Sequence, residues 1–163
     1  MIMTKHLRIF LALILLMAVS VAKASTLYYV VDNIRYAVNT DDSTAMVVAY
    51  SAYKDMTEIT IPASITVHGY AYRVTELGEY CFERCTGLTN VTIPNSVTEL
   101  GYGCFSLCNL ESMHIQSKTP PQTSIEGSFQ LRIDYITLYV PVGSADAYKA
   151  ATPWKYFKEI IEE

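Results

Sequence analysis

Apolar and polar residues alternate with a period of two in a series of short windows along the chain. Leu27–Val31, Ile34–Val38 and Ala45–Ala49 carry the pattern near the start, with Asp32-Asn33 and Thr40–Ser43 between them. Alternation sends successive side chains to opposite faces, so each window reads as a half-buried strand and each polar link as a turn. Further on, Glu58-Ile59-Thr60-Ile61, Asn90-Val91-Thr92-Ile93, Ser112-Met113-His114-Ile115 and Thr137-Leu138-Tyr139-Val140 repeat the pattern. Pro62, Pro94 and Pro141 follow three of these, and a proline has no N–H with which to extend a ladder. Ile65–His68 and Tyr70–Val74, joined at Gly69, read as an inserted hairpin, with His68 as a turn residue.

The pattern changes at both ends. After Pro141, Ser144–Ala151 carries a helix start and good helix formers, and Pro153 stops it. Trp154–Phe157 reads as a second short helical turn whose aromatics cover the end of the core. At the other end, Lys5, His6 and Arg8 precede an unbroken apolar run, Ile9–Val19, and Ala22-Lys23-Ala24 follows it. This is the basic, apolar and small-x-small order of a secretory signal peptide, which places residues 1–24 in a leader. The run of eleven residues is too short to span a bilayer, which takes about 20.

The strands recur because the chain repeats itself. Val74–Cys85 superposes on Val97–Cys108 at an offset of 23, with eight of twelve positions identical. Leu88, Val91 and Ile93 then match Leu110, Met113 and Ile115. A coil of this length cannot bury its own apolar face; stacking successive coils lets equivalent side chains form one continuous core. Gly78 and Gly101 stand where each coil must turn with no Cβ in the way.

The unit L-T-N-V-T-I-P-N-S-V-T-E-L-G-Y-G-C-F-S-L-C-N-L, residues 88–110, resembles the BspA-like type of bacterial leucine-rich repeat. The match includes the leucine, both strand apolars, the proline, the valine, the glycine, the phenylalanine and the second cysteine. Cys81 and Cys104 depart from it, standing where that repeat has alanine. Thr119-Pro120-Pro121, Leu138–Pro141, Ala147-Tyr148 and Trp154–Phe157 resemble the family's C-terminal end. The resemblance covers residues 56–163. It implies an α/β fold: a short leucine-rich-repeat solenoid over 56–141, with a parallel sheet on one face and short helical or irregular connections on the other. Residues 25–55 are expected to form an N-terminal β-cap of two or three antiparallel strands, and 142–163 a C-terminal helical cap.

Composition narrows the function. The 163 residues are 51% apolar and only 17% charged, which excludes a disordered solvating segment. The net charge is −4 and becomes −7 once the leader and its three cations are gone, which argues against nucleic acid as a partner. With no second long apolar run, no stable membrane span is expected after leader cleavage. Export is expected, to the medium, the periplasm or the cell surface.

Candidate chemistry is thin. Cys81, Cys85, Cys104 and Cys108 form two C-x3-C pairs that recur with the repeat. Three readings stand: buried thiols as small apolar filler, a disulfide between adjacent coils with Cys85–Cys108 first, or a four-thiolate metal site, whose spacing fits zinc poorly. Outside the leader the histidines are His68 and His114, and neither is organised with a thiol as a nucleophile pair. Glu76 and Glu99 lie one repeat apart, so stacking brings them together and raises the pKa of one. No catalytic residues, metal or cofactor are assigned. The thirteen tyrosines read mostly as packing on sheet flanks and caps, with a recognition surface as the alternative.

The outward strand positions are Glu58 and Thr60, Asn90 and Thr92, Ser112 and His114, and Thr137 and Tyr139. At about 4.8 Å per strand they make a polar ladder about 15–20 Å wide. The resembled family includes surface and secreted proteins, some adhering to host or matrix proteins. That implies a non-catalytic, adhesin-like module that binds a protein ligand on this face, with a polysaccharide-binding envelope accessory as the alternative and a hydrolase using the paired acids behind it.

Overall fold

The computed structural model describes residues 26–123, 128–129 and 133–163. The leader read over 1–24 lies outside them. The chain begins as an antiparallel meander of β1 (Leu27–Val31), β2 (Ile34–Asn39) and β3 (Thr44–Val47). The first turn is Asp32-Asn33, with φ of 49° and 64°. Two left-handed residues in a two-residue hairpin match the strand twist, and Asp and Asn tolerate that conformation best among residues with side chains. A 3₁₀ turn, Ser51–Asp55, leads to β4 (Glu58–Thr60) and then to the hairpin of β5 (Ser64–Val67) and β6 (Tyr70–Leu77). Its turn is His68-Gly69, at φ of 51° and 84°, as the sequence indicates.

From β6 onward the chain alternates between two sheets. One contains β7 (Asn90–Ile93), β9 (Ser112–Ile115) and β11 (Thr137–Val140), parallel to one another and to β4. The other receives β8 (Glu99–Leu100) and β10 (Gln122–Thr123), parallel to the end of β6. It continues through β3 into β2 and β1. The structure therefore corrects the expectation of one sheet backed by helical or irregular connections. The back carries its own sheet, because Glu76-Leu77, Glu99-Leu100 and Gln122-Thr123 pair in register. The helical content is small: the α-helix among the described residues is α1 (Ala145–Ala150).

The C-terminal segment also differs from a helical cap. After a 3₁₀ turn, Trp154–Tyr156, the chain ends in β12 (Glu159–Glu162), which pairs parallel with β11. Glu-Ile-Ile-Glu has no alternation to announce a strand; only its register with β11 defines it as one.

Stacked like residues make the core. Ile59, Val91, Met113, Leu138 and Ile160 are successive partners across the first sheet, and Ile93 pairs with Ile115. Phe82, Phe105 and Phe129 stack at 5.4 and 5.9 Å between centroids with planes 12° apart. Tyr53 packs on Phe82 at one end of this column, and Trp154 and Phe157 meet Phe129 at the other. The turns between sheets are also tied coil to coil: Tyr80, Phe82 and Arg84 donate their N–H groups to the carbonyls of Tyr102, Cys104 and Ser106.

Candidate functional site

Register decides whether the outward residues form a surface. Glu58, Asn90, Ser112 and Thr137 are consecutive partners, and so are Thr60, Thr92, His114 and Tyr139. The eight residues thus stand in two rows across four parallel strands. Residues between them point inward: Ile59, Val91, Met113 and Leu138 are buried, whereas all eight ladder residues are at least partly exposed. β12 extends the rows by Glu159 and Ile161, which the sequence reading missed because it placed residues 142–163 in a helical cap.

Several of these side chains are held before any ligand arrives. Ser112 Oγ donates to Asn90 Oδ1 at 2.6 Å. The His114 and Tyr139 rings stack at 4.4 Å, nearly parallel at 4°. His114 Nδ1 lies 2.8 Å from Glu163 Oε1, an ion pair when the ring is protonated. Glu163 is 49 residues from His114, a contact that only the β12 pairing creates. The face is therefore polar in the middle, with a flat aromatic pair, and acidic at both margins, with Glu58 on one and Glu159 and Glu163 on the other.

The remaining candidates lie elsewhere. Glu76 and Glu99 are register partners on the second sheet, and burial followed by the Glu99 and Glu79 charges raises the Glu76 carboxyl above its ordinary range. With Glu79, Gln122 and Thr123 they rim a shallow cavity of about 320 Å³. The four cysteines are buried free thiols. Burial and a hydrogen bond to Cys104 push Cys81 up; a hydrogen bond from Cys108 and the Lys54 charge pull Cys85 down against its burial. Cys108 Sγ also lies 2.9 Å from the Phe82 carbonyl, an alternative acceptor for its one proton. Among the described residues no group of three or more His, Cys, Asp or Glu is placed to hold a metal ion.

A larger cavity, about 590 Å³, lies beside the first full coil and is lined by Arg35, Tyr50, Ser51, Lys54, Tyr80 and Arg84, among others. Sequence reading missed it because its cations come from three segments with no common motif.

Residues 48–138, more than half of the chain, match the family model of the BspA type leucine-rich repeat region, a model of six copies. A leucine-rich repeat protein from Bacteroides capillosus is similar in structure, with a TM-score of 0.60 and 24% identity over 83% of this chain and 98% of its own. A leucine-rich cell surface protein from Faecalibacterium prausnitzii is 22% identical, with a TM-score of 0.48 over 87% of this chain and 44% of that one. The first of these likenesses bears on the fold alone. No curated protein matches the chain.

Proposed function

The chain belongs to the BspA-type leucine-rich repeat family, and from that premise we propose that it is an exported, non-catalytic module that binds a protein ligand, of host or matrix origin, on its strand face. The observation that carries this reading is the register that sets eight outward side chains in two rows over parallel strands. Repeat proteins bind on such extended faces because a regular backbone fixes the spacing of every side chain. Five strands at about 4.8 Å give a platform about 20 Å across, which fits an extended peptide segment better than a full domain–domain interface of about 800 Å² per partner. β1–β3 and residues 142–163 act as caps that close the two ends of the stack.

Export follows from the leader pattern over 1–24. It carries the thiols into an oxidising compartment, where Cys85 and Cys108, already hydrogen-bonded across adjacent coils, are the pair to bridge. One observation favours a glycan as the second reading. The stacked His114 and Tyr139 rings present a flat, partly exposed surface of the kind that packs against a sugar ring.

Immobilised matrix proteins and a glycan panel, each titrated with the protein and with Thr92→Arg and Tyr139→Ala variants, test both readings. Saturable binding to a protein that both variants abolish supports the first. Binding to glycans alone moves the function to the second, and binding that neither variant alters takes it off this face.

A further inference from the structure

We propose that the 590 Å³ cavity beside the first coil is a binding site for a small organic anion, a carboxylate or phosphate monoester carried on a ring-sized body. It lies off the strand ladder, between the 3₁₀ turn Ser51–Asp55 and the loop of residues 80–85, and none of the ladder residues lines it.

Charge is the first argument. Arg35, Lys54 and Arg84 line the cavity against one carboxylate, Glu83, in a protein whose net charge is −4. The ion pair among the described residues is His114 with Glu163, so none of the three cations has an acid partner there. Arg35 is already oriented: its guanidinium lies over the Tyr28 ring at 4.8 Å, and Nη1 donates to the Ala49 carbonyl at 3.4 Å. Its other N–H groups remain for a ligand. Guanidinium and ammonium groups meet carboxylate and phosphate oxygens through short charge-assisted hydrogen bonds.

The repeat supplies an independent argument. Of twelve equivalent positions in 74–85 and 97–108, the four that differ are 79, 80, 83 and 84 against 102, 103, 106 and 107. Three of those four, Tyr80, Glu83 and Arg84, line the cavity. The second coil has Gly103, Ser106 and Leu107 there, which carry no charge. The backbone is left-handed at both variable turn positions, at φ of 54° and 59° for Tyr80 and Arg84, against 65° and 60° for Gly103 and Leu107. Glycine is the unstrained occupant of such a position, and the first coil places a tyrosine there instead. The Tyr80 ring lies over Gly103, where a Cβ would come within 2.5 Å of it, so the next coil fixes the ring at the cavity wall. Tyr50 and Tyr80 offer apolar surface for the ligand body, Ser51 offers a hydroxyl, and the volume suits a small molecule.

Amide NMR titration of the protein with glucuronate, glucose 6-phosphate, inorganic phosphate and glucose tests the assignment. The expected result is saturable shifts at Ser51, Tyr80 and Arg84 with glucuronate or glucose 6-phosphate, weakening as salt rises. Arg84→Leu, which installs the residue of the second coil, and Lys54→Ala should each raise Kd about tenfold, as for loss of one charge-assisted hydrogen bond. Both side chains are exposed, and an unchanged melting temperature shows that each variant is folded. No saturation by either organic anion, equal response to glucose, tighter binding of inorganic phosphate, or unchanged affinity in both variants would overturn it.

Discussion

Gly101 donates its N–H to the Leu77 carbonyl at 2.7 Å, and a Cβ there would stand 2.6 Å from the Glu79 nitrogen and 2.7 Å from the Gly78 carbonyl carbon. Both neighbours are backbone and cannot swing aside. Gly101→Ala should therefore cost about 1–3 kcal/mol through overpacking, read as a lower urea midpoint. Gly69 is the control. Its surroundings are open and only its φ of 84° resists a side chain, so Gly69→Ala should cost less, about 1 kcal/mol. Equal losses at the two sites would mean that the coils are not in close contact at Gly101. Glu76 makes a prediction in pH. Its pKa is raised first by burial and then by Glu99 and Glu79, so the folded state favours the protonated form. That stabilisation is fully present below the ordinary value of 4.5 and is lost as pH rises through the raised folded value. Glu76→Gln should thus raise the melting temperature at neutral pH, and the gain should vanish in acid below 4.5. A gain that persists unchanged there would assign the effect to packing.

At the scale of elements, the C-terminal 3₁₀ turn acts through one side chain. Trp154 is 1% exposed, meets Phe129 edge-on at 5.9 Å and stacks on Phe157, and its Nε1 donates to the Pro121 carbonyl at 3.1 Å. Trp154→Ala should cost about 3–5 kcal/mol, measured by denaturant unfolding, whereas Trp154→Phe should retain most of the packing and lose the hydrogen bond. The aromatic cover at this end was legible in the sequence, and so were the four ladder strands, because each alternates over four residues and three end at proline. The part of the second sheet beyond β6 was not legible. β8 and β10 are two residues long, too short to display any period, and only pairing with β6 defines them. β12 was hidden for a related reason: Glu159 and Glu162 bracket two apolar residues, a pattern with no outward–inward alternation. The ladder rows were readable to the residue, but Glu163 on His114 and the three cations of the cavity were not, since contacts between distant segments leave no local trace.

At the scale of the molecule, one column of rings runs from end to end. Tyr53 meets Phe82 at 4.8 Å, the three phenylalanines follow, and Phe129 meets Trp154 and Phe157. Tyr53 also accepts the Arg35 N–H through its hydroxyl at 2.8 Å, which ties β2 into the same column. In a long solenoid each coil contacts only its neighbours, and the ends can fray independently. Here every coil lies within two layers of an end, and the column couples the first meander to the last strand, so the physical expectation is a single cooperative transition. Trp154 is the sole tryptophan, which makes its fluorescence a reporter of the C-terminal end alone, while far-UV circular dichroism averages over both sheets. In urea the two curves should superimpose with one midpoint. A fluorescence change that precedes the loss of strand signal would mean that the last coil and β12 unfold separately from the rest, and the ladder face would then lose its Glu159 margin before its other strands.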